Sequence, residues 1–71
     1  MLGAKKSIGK KIVLLREKKG WSQIRLSTES GVDNSDLSRI EHGNKNLCID
    51  TLEKIYTALG ISYQEFFSEL E

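Results

Sequence analysis

Residues 22–41, SQIRLSTESGVDNSDLSRIE, decide the fold. They read as two short helices folded tightly about one glycine. Ser22 offers a hydroxyl to cap the first helix, Gln23 opens it, and Leu26 is its inward residue. Gly31 stands where the chain must turn sharply, a place suited to a residue free to take positive φ. Val32, Leu37 and Ile40 then resume the apolar spacing of a helix. Asn34, Ser35, Ser38 and Arg39 fall on the other side of that second helix, a face able to donate and accept hydrogen bonds.

The flanking sequence repeats the same devices. Residues 7–19 place Ile8, Ile12 and Leu15 at i, i+4 and i+7, with Val13 and Leu14 widening the stripe. This is an amphipathic helix that ends before Gly20. Trp21 and Leu26 are spaced as a hydrophobic staple across the Ser22 cap, and Val32 and Leu37 repeat it across Asp33, with Asp36 at N3. Asp50 is predicted to cap a fourth helix, with Glu53 at N3 and Leu52, Ile55, Tyr56 and Leu59 on its apolar side, up to Gly60. Ser62 caps a fifth, with Glu65 at N3, an Ile61–Phe66 staple, and Phe67 and Leu70 following. Five capped segments and no proline predict an all-α, compact five-helix domain spanning residues 1–71, with the motif at about 22–41 at its centre.

Bulk properties remove several alternatives. A 71-residue chain buries only about 60% of its unfolded surface, so its stability is limited. One cysteine, Cys48, allows no internal disulfide, and with a single histidine there is no self-contained Cys/His metal site. No cofactor is expected. No apolar run approaches the roughly 20 residues of a membrane span, and no signal-peptide h-region follows the basic N-terminus. A soluble, reducing, cytoplasmic setting is predicted. The net charge of +1 is uninformative, but its distribution is not. Residues 1–25 hold eight Lys/Arg against Glu17, whereas residues 47–71 hold five acids against Lys54. One end of the chain suits phosphates and the other does not. Lys5, Lys6, Lys10, Lys11, Lys18 and Lys19 read equally well as the solvated face of a helix.

The central pair has the layout of a helix-turn-helix, whose second helix lies in the DNA major groove. The pieces IGKKIVLLREKKG, WSQ, GV, LSRIEHG and TLEKIYTALGIS, in this order and spacing, resemble the lambda-repressor-like, or XRE-type, helix-turn-helix family. The likeness runs from about Ile8 to Leu70. The compact length, the KNLC exit loop and the FF-bearing last helix most resemble controller proteins of restriction-modification systems. Three positions depart from the family: Ser27 where Ala is usual, Ile24 where an acid is frequent, and Leu47 where many members carry Pro.

The resemblance implies roles for particular residues. Ser22 and Gln23, in the first turn of the second helix, meet phosphate, where free N–H groups and the helix dipole already favour an anion. Asn34, Ser35 and Asp36 open the helix that reads bases, with Ser38 and Arg39 one turn on. Asn is able to bond adenine N6 and N7 together, and Asp to accept from cytosine N4 unless Asp36 only completes the cap. Arg39 either forks onto guanine O6 and N7 or holds phosphate. Asn44, Lys45 and Asn46 clasp the backbone without reading sequence. Arg16 and Glu41 form a structural pair, and His42 is a surface residue or a weak phosphate donor. Cys48 is expected as a small buried hydrophobe and Trp21 as core rather than a base-stacking platform.

The function expected is sequence-specific double-stranded DNA binding by a transcriptional regulator. One recognition helix reads only a few base pairs, which a homodimer on a palindromic operator overcomes. Tyr63, Phe67 and Leu70 do not all fit one small core beside Phe66, and are assigned to the dimer interface. RNA polymerase is a further candidate partner, and no membrane is. A different class of function is a protein-interaction module of the same fold, antitoxin or coactivator-like, using an exposed apolar patch that includes Ile24. An enzyme is disfavoured: the chain offers no nucleophile–base–orienter set and no phosphate-cradling glycine loop.

Overall fold

A computed structural model describes residues 4–68. Five helices follow in order: α1 (Ala4–Lys18), α2 (Gln23–Ser30), α3 (Asn34–Glu41), α4 (Ile49–Ala58) and α5 (Tyr63–Phe67). No strand occurs among the described residues. The all-α, five-helix reading is therefore the observed architecture. Helix α1 packs on α3, α2 lies between α3 and α4, and α5 closes on α4.

Each helix contributes its apolar stripe to one core. Ile12 comes from α1, Leu26 from α2, Leu37 and Ile40 from α3. Leu52, Ile55, Leu59 and the α5 residue Phe66 complete it, with Val32 sealing the turn. Ile8, Leu15, Trp21, Leu47 and Ile61 pack around this centre. Leu14 departs from the inward stripe that its spacing predicts, being 53% exposed. Its position lies well round the helix from Ile12, beyond the part of α1 that α3 covers.

The caps explain where the helices begin. Ser22 Oγ accepts from the Arg25 amide at 3.0 Å, and Ser62 Oγ from the Glu65 amide at 3.0 Å. Asp33 accepts from the Ser35 amide at 3.2 Å. The fourth helix departs from this pattern. It starts at Ile49, its cap residue is Cys48, and no side chain caps it. Asp50 lies inside the first turn, where its charge suits the helix dipole without closing a cap. The expectation for Cys48 fails for the same reason: as the residue before the helix it stands exposed, not buried.

The α2–α3 turn is closed by hydroxyls. Gly31 adopts φ 76°, and its amide donates to the Ser27 carbonyl at 2.9 Å. Ser27 Oγ donates to the Val32 carbonyl at 2.6 Å, and the Val32 amide donates to Ser30 Oγ at 3.2 Å. Ser27 thus combines small volume for close helix approach with a bond that alanine lacks.

Helix α1 meets the end of α3 at a glycine. A Cβ on Gly9 would lie 2.6 Å from the carbonyl oxygens of both Ile40 and Glu41. Backbone oxygens have nowhere to retreat without shifting a helix. Gly9→Ala is expected to lower unfolding free energy by about 1–3 kcal/mol, the usual cost of overpacking. Urea titration of the parent and variant measures it; equal midpoints would contradict the close crossing.

Candidate nucleic-acid interface

Two faces of α3 separate cleanly. Leu37 and Ile40 are buried, whereas Asn34, Ser35 and Arg39 are exposed and Asp36 and Ser38 half-buried. The apolar pair anchors the helix, so its polar first turn faces outward by geometry alone. This exposed turn begins at a cap whose charge is stabilised. The Asp33 carboxylate accepts from both the hydroxyl and the amide of Ser35. These bonds, the hydroxyl's first, hold its pKa below the ordinary aspartate value despite some opposing desolvation. The Ser35 hydroxyl hydrogen is committed to Asp33, leaving its oxygen to accept from another donor.

The loop after α3 lies beside this face. Lys45 Nζ is 3.7 Å from Asp36 Oδ1, joining a loop residue to the first turn of α3. Asn44 and Asn46 are exposed on either side of it. His42 Nδ1 lies 2.7 Å from the Ser38 carbonyl oxygen, a contact that requires the hydrogen on Nδ1. This places the His42 ring against its own helix end.

The other end of α3 is held by a charge network. Arg16 Nε and Nη2 donate to the two oxygens of Glu41 at 2.9 and 3.1 Å. Arg16 Nη1 donates to the Trp21 carbonyl at 3.0 Å. Gln23 Nε2 donates to Glu41 Oε1 at 3.1 Å. The Glu41 side chain is only 4% exposed and that of Arg16 14%, so both charges are largely withdrawn from water. Gln23 is half-buried, and one of its two amide hydrogens is engaged by Glu41. The second hydrogen and the amide oxygen remain at the first turn of α2. Ser22, its neighbour, is exposed, with its oxygen engaged by the cap.

Several contacts escape a reading of the sequence. The Gln23–Glu41 bond and the Lys45–Asp36 pair each join different elements. Trp21 is half-buried rather than core, with Lys19 Nζ 5.0 Å and the Arg25 guanidinium 4.8 Å from its ring centre. Arg25 also pairs with Glu29 at 2.9 Å. At the far end Tyr63 is 60% exposed, with its ring 4.9 Å from that of Phe67. Leu70 lies outside the described residues.

The family model described as "Helix-turn-helix domain" matches residues 9–69. The chain belongs to this helix-turn-helix family. Among its relatives, the HTH-type transcriptional regulator PuuR of Escherichia coli (strain K12) is 40% identical over 63 residues. That match covers 89% of this chain but 34% of the regulator, so the chain spans about a third of that relative's length. The control protein C.MunI of a Mycoplasma species is 39% identical over 64 residues, covering 89% of this chain and 86% of its own. A solved structure, the restriction-modification controller protein C.AhdI from Aeromonas hydrophila, matches with a TM-score of 0.84. It is 35% identical, and the match covers 89% of this chain and 96% of that one. The helix-turn-helix fold found here is thus shared with controller proteins along nearly their whole length.

The stability role of the charge network is open to measurement. Glu41→Ala leaves the Arg16 guanidinium buried without its counter-charge, and Arg16→Ala strands the carboxylate. Each is expected to cost about 3–5 kcal/mol of unfolding free energy. The double variant should cost much less than the sum, because no lone buried charge remains. Additive losses in thermal or urea unfolding would show that the two residues act separately.

Proposed function

We propose that this chain is a sequence-specific double-stranded DNA-binding transcription regulator, not an enzyme. The observation that carries the reading is the exposed polar first turn of α3, anchored from behind by Leu37 and Ile40. Asn34, Ser35, Asp36, Ser38 and Arg39 supply donors and acceptors for base edges there. Ser22, Gln23, Asn44, Lys45 and Asn46 grip phosphates to either side and set the register. Residues 1–71 act as a single DNA-binding domain. The likeness to controller proteins supports control of restriction-modification genes as the biological setting. RNA polymerase is a candidate partner once DNA is bound. None of the helices described is long and apolar enough to cross a membrane, and the cytoplasm is the compartment proposed.

A homodimer on a palindromic operator is part of this reading. Exposed Tyr63 and half-buried Phe67 extend outward the aromatic cluster that begins inside the core at Phe66. Such a cluster suits a self-complementary contact, since interfaces concentrate their energy in buried aromatics. Leu70 joins the proposed interface from sequence position alone. Sedimentation of the parent at micromolar concentration is expected to give a dimer, and Tyr63→Ala or Phe67→Ala a weaker one with unchanged helicity. A strict monomer for the parent would remove the interface.

One observation favours a second reading, a protein-interaction module: Ile24 is 67% exposed on α2. Selection of random duplexes by the purified protein, followed by sequencing, separates the two. DNA binding predicts a palindromic site. Arg39→Ala should then lose about 1–3 kcal/mol of discrimination at one position of each half-site, and Asn34→Ala a similar amount at another. Both side chains are exposed, so melting temperatures should hardly move. If neither change alters preferred sequence or affinity, α3 is not the reader and the interaction module takes precedence.

A further inference from the structure

The basic start of α1 is docked on the loop that follows α3. Gly43, the first residue past α3's cap, adopts φ 74°. A Cβ there would lie 2.7 Å from Lys6 Cγ and 3.1 Å from Lys6 Cα. The aliphatic stem of Lys6 therefore runs directly over the turn that leads into Asn44, Lys45 and Asn46. The Gly9 crossing, one turn along α1, holds the two segments in this relation. Lys10 follows Lys6 at i+4 and lies on the same flank of α1. Both lysines are exposed. Neither makes an ion pair or hydrogen bond with another described residue. Lys45, by contrast, is shared with Asp36.

We propose that Lys6 and Lys10 continue the phosphate grip of the α3–α4 loop, binding the same DNA strand beyond the residues that clasp it. The proposal rests on the DNA-binding reading above. Its occupant follows from charge: two ammonium groups beside a loop rich in amide donors complement a phosphodiester backbone. Lysine on a flexible stem suits a point-charge contact that carries no sequence preference. The geometry also explains why a glycine is required at 43. A bulkier residue would push the α1 start off the loop and break the continuity of the two basic elements.

The test compares duplex binding by Lys6→Gln/Lys10→Gln with that of the parent chain across a salt series. Glutamine retains part of the stem that covers Gly43. The slope of log affinity against log salt should fall by about 0.9 for each phosphate no longer neutralised. The selected sequence should stay the same. Lys54→Glu, on α4, alters net charge equally and serves as the control for a general field effect. Its slope should remain close to the parent's. A parent-like slope for the lysine pair, or a change equal to that of Lys54→Glu, would overturn the extended grip while leaving specific binding intact. A parent chain that binds no duplex at all would overturn the DNA-binding reading and the extension with it. Ethylation interference adds a readout independent of folding stability. The parent should be sensitive at phosphates beyond those that Lys45→Ala releases, and the lysine pair variant should be insensitive there.

Discussion

The buried carboxylate of Glu41 is the point on which the arrangement of α1, α2 and α3 depends. It accepts from three nitrogens, two of Arg16 and one of Gln23. Arg16 reaches further, to the carbonyl of Trp21 in the α1–α2 turn. One carboxylate thus joins the first helix, the following turn, the first residue of α2 and the last residue of α3. Apolar packing sets how closely helices approach but tolerates sliding. Charges withdrawn from water do not, because a small displacement leaves one unpaired. Replacing such a pair with well-packed apolar residues is often neutral for stability. The value of the Glu41 network here lies in fixing one relative placement of the two helices that would meet DNA.

That placement would link the frame to the phosphate grip proposed above. Gln23 would belong to both, since its amide bonds Glu41 inside while it opens α2 outside. A phosphate accepting the second Nε2 hydrogen would be tied through one side chain to the base of α3. Positioning of the backbone contact and positioning of the reading helix then become one problem rather than two. Ser27 performs the corresponding task at the other end of the motif. Its bond to the Val32 carbonyl fixes the entry to α3, as Glu41 fixes the exit.

How much of this the sequence discloses depends on how local each interaction is. The caps at Ser22, Asp33 and Ser62 span two or three residues and are legible from composition and spacing. The start of the fourth helix is not, because a good capping residue, Asp50, stands two positions past the true cap. Nothing local disfavours either start; the half-buried Leu47 just upstream packs on the core and brings the chain into the helix earlier. The exposure of Leu14 is hidden for a related reason, since helical periodicity gives the width of an apolar stripe but not how much of it a neighbour covers. The bonds from Gln23 to Glu41 and from Lys45 to Asp36 bridge residues 18 and 9 apart, and no periodicity contains them. The face of α3 is legible because the same pattern that buries Leu37 and Ile40 must expose Asn34 and Arg39.

Charge follows the same division of the molecule. A net charge of +1 conceals a chain whose first 25 residues are basic and whose last 25 are acidic. Lys6 and Lys10 lie on the α1 flank beside the α3–α4 loop, while Asp50, Glu53 and Glu65 are exposed on α4 and α5. A polyanion approaching the acidic end is repelled, and one approaching the α1 and α3 end is not. In the DNA-binding reading proposed above, such a field would orient the molecule before any base is read, with the polar turn of α3 toward the groove.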